Sequence, residues 1–154
     1  MLKPSDPVVF EACYKGYTLS TDRSRIDPAV VYRFLAGESY WARSLTLPQL
    51  QRALDGSLVI GVYAPDGSLA AFGRLVTDHA VFAYLRDVFT LPAHRGQGLA
   101  SWLTVEIRNH PELKDVSSWM LSTKDAHAVY ERAGYRRAPH PEYYMTMPKP
   151  EEEA

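Results

Sequence analysis

Residues 85–103 read LRDVFTLPAHRGQGLASWL, and the rest of the chain is arranged around them. The run that leads into this stretch, VFAYLRDVFTL at 81–91, is mostly apolar and aromatic; a proline ends it, a basic glycine-rich turn follows, and an apolar-periodic segment continues to about Arg108. This is the pattern of a strand, a turn and a helix. Arg95, Gly96, Gln97, Gly98, Leu99 and Ala100 occupy the junction, where the first backbone N–H groups of a helix lack an intrahelical acceptor. Amides at a helix N-terminus favour a phosphate or pyrophosphate, and glycine lets such a ligand come close to the backbone. The turn has neither the Gly-Lys-Ser/Thr ending of a P-loop nor the G-x-G-x-x-G of a dinucleotide fold. Two glycines and an arginine can also close a strand-to-helix turn with no ligand at all.

Further residues add to the pattern. Arg95, Gly98 and Ala100 fit a signature of Gln or Arg, two residues, Gly, one residue, then Gly or Ala, set after a central strand that ends in Val88-Phe89-Thr90. Downstream, Ala126, Tyr130, Gly134 and Tyr135 fit A-x-x-x-Tyr-x-x-x-Gly-Phe/Tyr on a helix. In these two ordered motifs the chain resembles the GNAT acetyltransferase superfamily, most clearly over residues 68–147.

The resemblance implies one α/β domain over residues 1–154, with a mixed, mostly antiparallel sheet flanked by helices and a splayed pair of strands that holds acetyl-CoA. It implies cofactor contacts from Val88, Phe89, Thr90, Arg95, Gly96, Gln97, Gly98, Leu99, Ala100, Ser101 and Thr123, the last standing where many relatives have asparagine. Tyr130 would be the general acid that protonates the departing thiolate. Polyamine-type relatives carry a Glu-Asp pair where this chain has Arg86-Asp87, so only Asp87 carries over as a residue for the amine substrate. The region between the first two helices is a wall of the acceptor site in the family, which points to Tyr40 and Trp41. The expected activity is transfer of an acetyl group from acetyl-CoA to a primary amine of a small molecule by direct attack. A protein or peptide N-acetyltransferase and a catalytically idle acyl-CoA-binding module are the alternatives.

Composition bounds the rest. A chain of 154 residues has the size of one ordinary domain, and 46% hydrophobic with 23% charged residues is the balance of a globular protein. The formal net charge of −1 comes without a long basic stripe, which argues against nucleic acid as a partner. The lone Cys13 cannot form an intramolecular disulfide, the N-terminus does not read as a signal peptide, and no apolar run is long enough to span a bilayer. A cytoplasmic location and no membrane partner are expected, and a homodimer is left open. The five histidines show no metal-ligand spacing, so no metal is expected.

In chain order, 8–19 reads as a strand or hairpin, Asp27-Pro28 as the cap and first residue of a helix ending at Gly37, and 46–54 as a second helix. Runs at 58–63 and 69–76 flank Pro65-Asp66-Gly67, a hairpin turn. In a regular central strand Phe82, Tyr84, Arg86, Val88 and Thr90 share one face and Leu85, Asp87 and Phe89 the other. That would put Arg86 and Asp87 on opposite faces. A carboxylate inside an apolar strand calls for a partner, either Arg74 or the backbone of a turn, or else for a role toward the substrate. A short strand is expected at 116–121 and a last strand pair from Gly134 to Met147, with Arg136 and Arg137 offered to the nucleotide phosphates. The acidic tail at 149–154 reads as a solvated end.

Overall fold

The computed structural model describes residues 7–40 and 42–149. Two short strands open it, β1 (Glu11–Tyr14) and β2 (Tyr17–Ser20). They join through Lys15 and Gly16 at φ 51° and 82°, the paired positive angles of a tight hairpin turn. Helix α1 (Pro28–Gly37) starts where the Asp27 carboxylate accepts the Ala29 N–H at 2.9 Å, with proline in its first turn. Helix α2 (Leu47–Asp55) starts with a capping box, in which Thr46 Oγ1 accepts from Gln49 N and Gln49 Oε1 accepts from Thr46 N.

Four strands complete the sheet: β3 (Leu58–Tyr63), β4 (Leu69–Thr77), β5 (Phe82–Thr90) and β6 (Ser118–Leu121). Their spatial order follows the chain, β1-β2-β3-β4-β5-β6, and every neighbour is antiparallel except β5 and β6. That one parallel pair needs a crossover, and helix α3 (Leu99–Glu106) lies in it. After β6 comes α4 (His127–Arg132).

Side chains on the two faces of the sheet form two cores. Val59, Phe72 and Phe89 meet Val31, Phe34 and Leu35 of α1 and Leu50 and Leu54 of α2 on one face. Ile60, Val62, Ala71, Leu75, Ala83 and Leu85 meet Leu99 and Leu103 of α3, Ile107 and Leu113 on the other. Burial of each large apolar side chain stabilises by about 1.5–3 kcal/mol.

Strand β5 does not alternate regularly. Arg74 faces Arg86 and Phe72 faces Phe89, so Asp87 and Val88 together oppose Gly73. This is a β-bulge, and Asp87 adopts φ 56° within it. The extra residue overturns the expected alternation: Leu85 and Val88 pack on the α3 side, whereas Phe89 stacks between Phe34 and Phe72 on the α1 side, with ring centroids 4.1 and 5.4 Å away. Gly73 admits the crowding, because a Cβ there would lie 3.4 Å from both Leu103 Cδ1 and Val88 Cγ2. Arg74 Nε donates to Asp87 Oδ2 at 2.5 Å, and the two side chains are only 14% and 7% exposed. Because Arg74 and Arg86 are cross-strand partners, the Asp87 carboxylate lies on the face of Arg86 rather than opposite it.

The expected last strand pair is absent among the described residues. From Gly134 the chain is irregular, with a single 3-10 turn at Pro141–Tyr143, and Tyr143, Tyr144, Met145 and Met147 are exposed. Pro139 and Pro141 supply no backbone N–H for a ladder.

A buried ion pair that loses one member leaves the other charge uncompensated. Asp87→Ala is expected to lower the unfolding free energy by about 3 kcal/mol, the usual scale for such a break, measured as a shifted urea midpoint. Asp87→Asn keeps an acceptor for Arg74 and should lose less.

Candidate functional site

The pairing of β5 with β6 runs from Phe82↔Ser118 to Leu85↔Leu121 and stops, whereas β5 continues to Thr90. The bulge begins just past the last pair. Beyond it the chain after β6 turns away through Ser122 and Thr123, and Thr123 Oγ1 accepts the Ala126 N–H at 3.0 Å at the approach to α4. The backbone of β5 at 86–88 therefore faces a gap rather than a strand. A cavity of about 400 Å³ opens there, lined among others by Tyr40, Tyr84, Arg86, Asp87, Thr123 and Tyr130.

At the far end of β5 the glycine turn is tied down from three sides. Leu91 N donates to Ala70 O at 2.8 Å, Arg95 Nε donates to Thr90 O at 3.3 Å, and the Tyr17 hydroxyl bonds His94 Nδ1 at 3.0 Å. Gly98 is the N-cap of α3 at φ 76°, and no side chain caps that helix. An L-residue resists that φ, so glycine leaves the amides of the first turn uncovered. Leu99 is 2% exposed and pins the helix start to the core. Ser101 Oγ donates to Val129 O at 3.5 Å, which links α3 to α4.

Several residues named from the sequence meet in this region, and others contribute in a restricted way. Tyr40, Asp87, Val88, Thr123 and Tyr130 line the cavity. Phe89 and Leu99 commit their side chains to the two cores, so only their backbone is available to a ligand. Gly96, Gln97 and Gly98 are exposed at the turn, with Arg95 and Ala100 beside them partly covered or exposed. Trp41 lies outside the described residues. Arg136 and Arg137 line an adjoining hollow with Trp119 and Leu121, which shares Ser122, Thr123 and Tyr130 with the cavity.

Tyr130 is held by the fold of α4. Its ring packs against the α3-side core and meets Tyr135 edge-on at 6.3 Å, while Tyr135 N donates to Tyr130 O at 3.0 Å. Burial, reinforced by Tyr135, Tyr40 and the negative charge of Asp125, pushes the Tyr130 hydroxyl up to about 12. The phenol stays protonated throughout the neutral range.

Cavity residues that the sequence reading did not single out are Tyr84, Ser122, Lys124 and Asp125. Tyr84 Oη and Ser122 Oγ lie 2.7 Å apart and bridge β5 to the loop after β6. The available signal was position: Lys124-Asp125 stands directly before the A-x-x-x-Tyr motif. Among the described residues no group of three His, Cys, Asp or Glu side chains is arranged to hold a metal ion, and no helix is long and apolar enough to cross a membrane.

This chain is similar to known proteins over most of its length. A crystal structure of a Xanthomonas campestris pv. campestris protein assigned to the GNAT acetyltransferases superposes with TM-score 0.81 at 39% identity, covering 87% of this chain and 94% of that one. A Gibberella zeae protein classed as an acetyltransferase is 26% identical over 142 residues, which is 78% of this chain and 79% of that protein. A Clostridium acetobutylicum protein, described as an acetyltransferase with acetyl-CoA, shares the fold with TM-score 0.64 at 15% identity, covering 86% and 94% of the two chains. The model of the acetyltransferase (GNAT) domain matches residues 56–137, a span that takes in the bulged strand, the glycine turn and the tyrosine helix, and the chain belongs to the GNAT acetyltransferase family.

Proposed function

We propose that the protein transfers the acetyl group of acetyl-CoA to a primary amine of a small molecule, by direct attack and with Tyr130 beside the departing sulfur. The observation that carries this reading is the end of β5–β6 pairing at Leu85↔Leu121, with Tyr130 on the wall of the cavity that opens beyond it. An extended pantetheine arm fits such an edge as an added strand would, through the β5 backbone. The turn at Gly96–Gly98 and the uncapped start of α3 suit the pyrophosphate at the other end.

The reaction balances within this arrangement. The neutral amine attacks the thioester carbonyl carbon, the C–S bond breaks, the amine nitrogen gives up a proton, and one proton ends on sulfur. A thiol of ordinary pKa about 8.5 is a stronger acid than a phenol near 12, so complete transfer from Tyr130 to a solvated thiolate would run uphill. Desolvation raises the thiol in the same site. Tyr130 then acts first as a hydrogen-bond donor to the developing negative charge, a role that needs position more than acidity. Direct attack is supported by the place of the sole cysteine. Cys13 sits on β1, four strands from β5, roughly 19 Å at the usual strand spacing.

Three outcomes test the reading. Tyr130→Phe should lower kcat by about 100-fold, the scale of a lost acid or donor, with coenzyme A affinity by calorimetry within about threefold; full turnover would remove Tyr130 from the chemistry. Gly98→Glu should abolish coenzyme A binding, while Gly98→Ala, which carries a comparable backbone strain of about 1–2 kcal/mol without the charge, should retain most of it. The pH profile of kcat/KM for the amine should rise as the ammonium deprotonates and show no fall near pH 10, because Tyr130 keeps its proton to about 12. A descending limb centred near 10 would contradict that environment.

A further inference from the structure

Resting on the acetyltransferase reading, we infer that the acceptor is a primary amine that also carries an anionic group, a carboxylate or a phosphate, bound at the mouth of the cavity by Arg86 and Lys124. Both side chains line the same cavity, Arg86 from the exposed face of β5 and Lys124 from the loop after β6. Each is held against an aromatic ring: the Arg86 guanidinium carbon is 5.6 Å from the Tyr84 ring centroid, and Lys124 Nζ is 5.5 Å from that of Tyr40. The 2.7 Å contact between Tyr84 Oη and Ser122 Oγ ties the strand of one cation to the loop of the other. Cation–π contact limits where the two cationic heads can go.

The carboxylates of the cavity do not cancel these charges. Asp87, on the cavity wall, is committed to Arg74, at 2.5 Å and with 7% of its side chain exposed. Neither Arg86 nor Lys124 forms an ion pair among the described residues. Asp125 is the remaining acid on the wall, and its charge is felt at Tyr130. The mouth is therefore polarised, positive at Arg86 and Lys124 and negative beside Tyr130, in a chain whose formal net charge is −1. A polycation would meet two like charges there. An amine with its own anion meets opposite charges at both ends, its ammonium toward Asp125 near the reacting sulfur and its anion in the fork of Arg86, which suits carboxylate and phosphate alike.

Matched pairs test this by thiol release from acetyl-CoA: phenylalanine against phenylalaninamide, O-phosphoethanolamine against ethanolamine, and spermidine as a polycation. The anionic member of at least one pair should show kcat/KM at least tenfold above its uncharged partner, and the pair that does so tells carboxylate from phosphate. Arg86→Gln should erase most of that preference through KM for the amine, with Arg86→Lys restoring part of it and Arg86→Glu shifting preference toward spermidine. Equal or better use of ethanolamine, phenylalaninamide or spermidine by the natural protein overturns the assignment, as does an anion preference that survives Arg86→Gln. Release from neither anionic amine while calorimetry shows acetyl-CoA bound also overturns it and leaves the transferase reading standing, whereas no acetyl-CoA binding at all removes that underlying reading.

Discussion

The ion pair between Arg74 and Asp87 fastens the irregularity on which the site depends. One extra residue in β5 has to be accommodated opposite Gly73, and Asp87 takes a left-handed backbone angle to do so. Such an angle is unfavourable for most residues but less so for aspartate, and the bond to Arg74 supplies the compensation. Arg74 is itself braced by the Ser57 hydroxyl, which accepts from its Nη1 at 3.1 Å and donates to Ala53 O at 2.6 Å at the end of α2. The bulge is thereby linked to the helix layer.

Two consequences follow from that single insertion. The local bend carries β5 away from β6 after Leu85↔Leu121 and leaves backbone polar groups facing a cavity. Such groups are ordinarily paired in a sheet interior, so the gap is suited to a ligand that brings its own donors and acceptors. The phase of the strand also shifts. Phe89 turns toward Phe34 and Phe72 while Val88 turns toward Leu103 and Gly73, so the strand can feed both cores within two residues.

Much of this was legible in the sequence where chemistry is local. Asp27-Pro28, Thr46 with Gln49, and Pro65-Asp66-Gly67 mark element ends by capping and turn rules that depend on a few neighbouring residues, and the helices and hairpin fall where those residues put them. The glycine turn was readable for the same reason, whereas the tyrosine helix was read from its resemblance to the family motif. The alternation of β5 was not, because a bulge is decided by what faces the strand: Gly73 and Arg74 are thirteen residues or more from the bulge in sequence, and strict period-two counting has no way to register them. The last strand pair failed on the opposite ground. Its three tyrosines suit a strand, but content alone does not provide a partner edge, and the prolines at 139 and 141 remove donors in the middle of the run.

Tyr130 shows how burial and chemistry are reconciled at such a site. Packing on the core and against Tyr135 fixes the ring, and the same desolvation makes the phenol a weaker acid than tyrosine in water. A free proton donor would be impaired by that change. On the proposed reading a positioned one is not, because a thiolate leaving in the same cavity would lose its water and become correspondingly more basic, so donor and acceptor would move together. What the fold then has to provide is a short, dry approach between them. Loss of rotational freedom in α4 is settled during folding, through Arg108 on Ala133 O at 2.6 Å and Ser101 on Val129 O, rather than at the moment of reaction. On the same reading Arg86 and Lys124 share the cavity wall with Asp125 and Tyr130. Charge at Arg86 and Lys124 would then select the acceptor while Tyr130 serves the proton step, which divides the two tasks among the side chains of one small cavity.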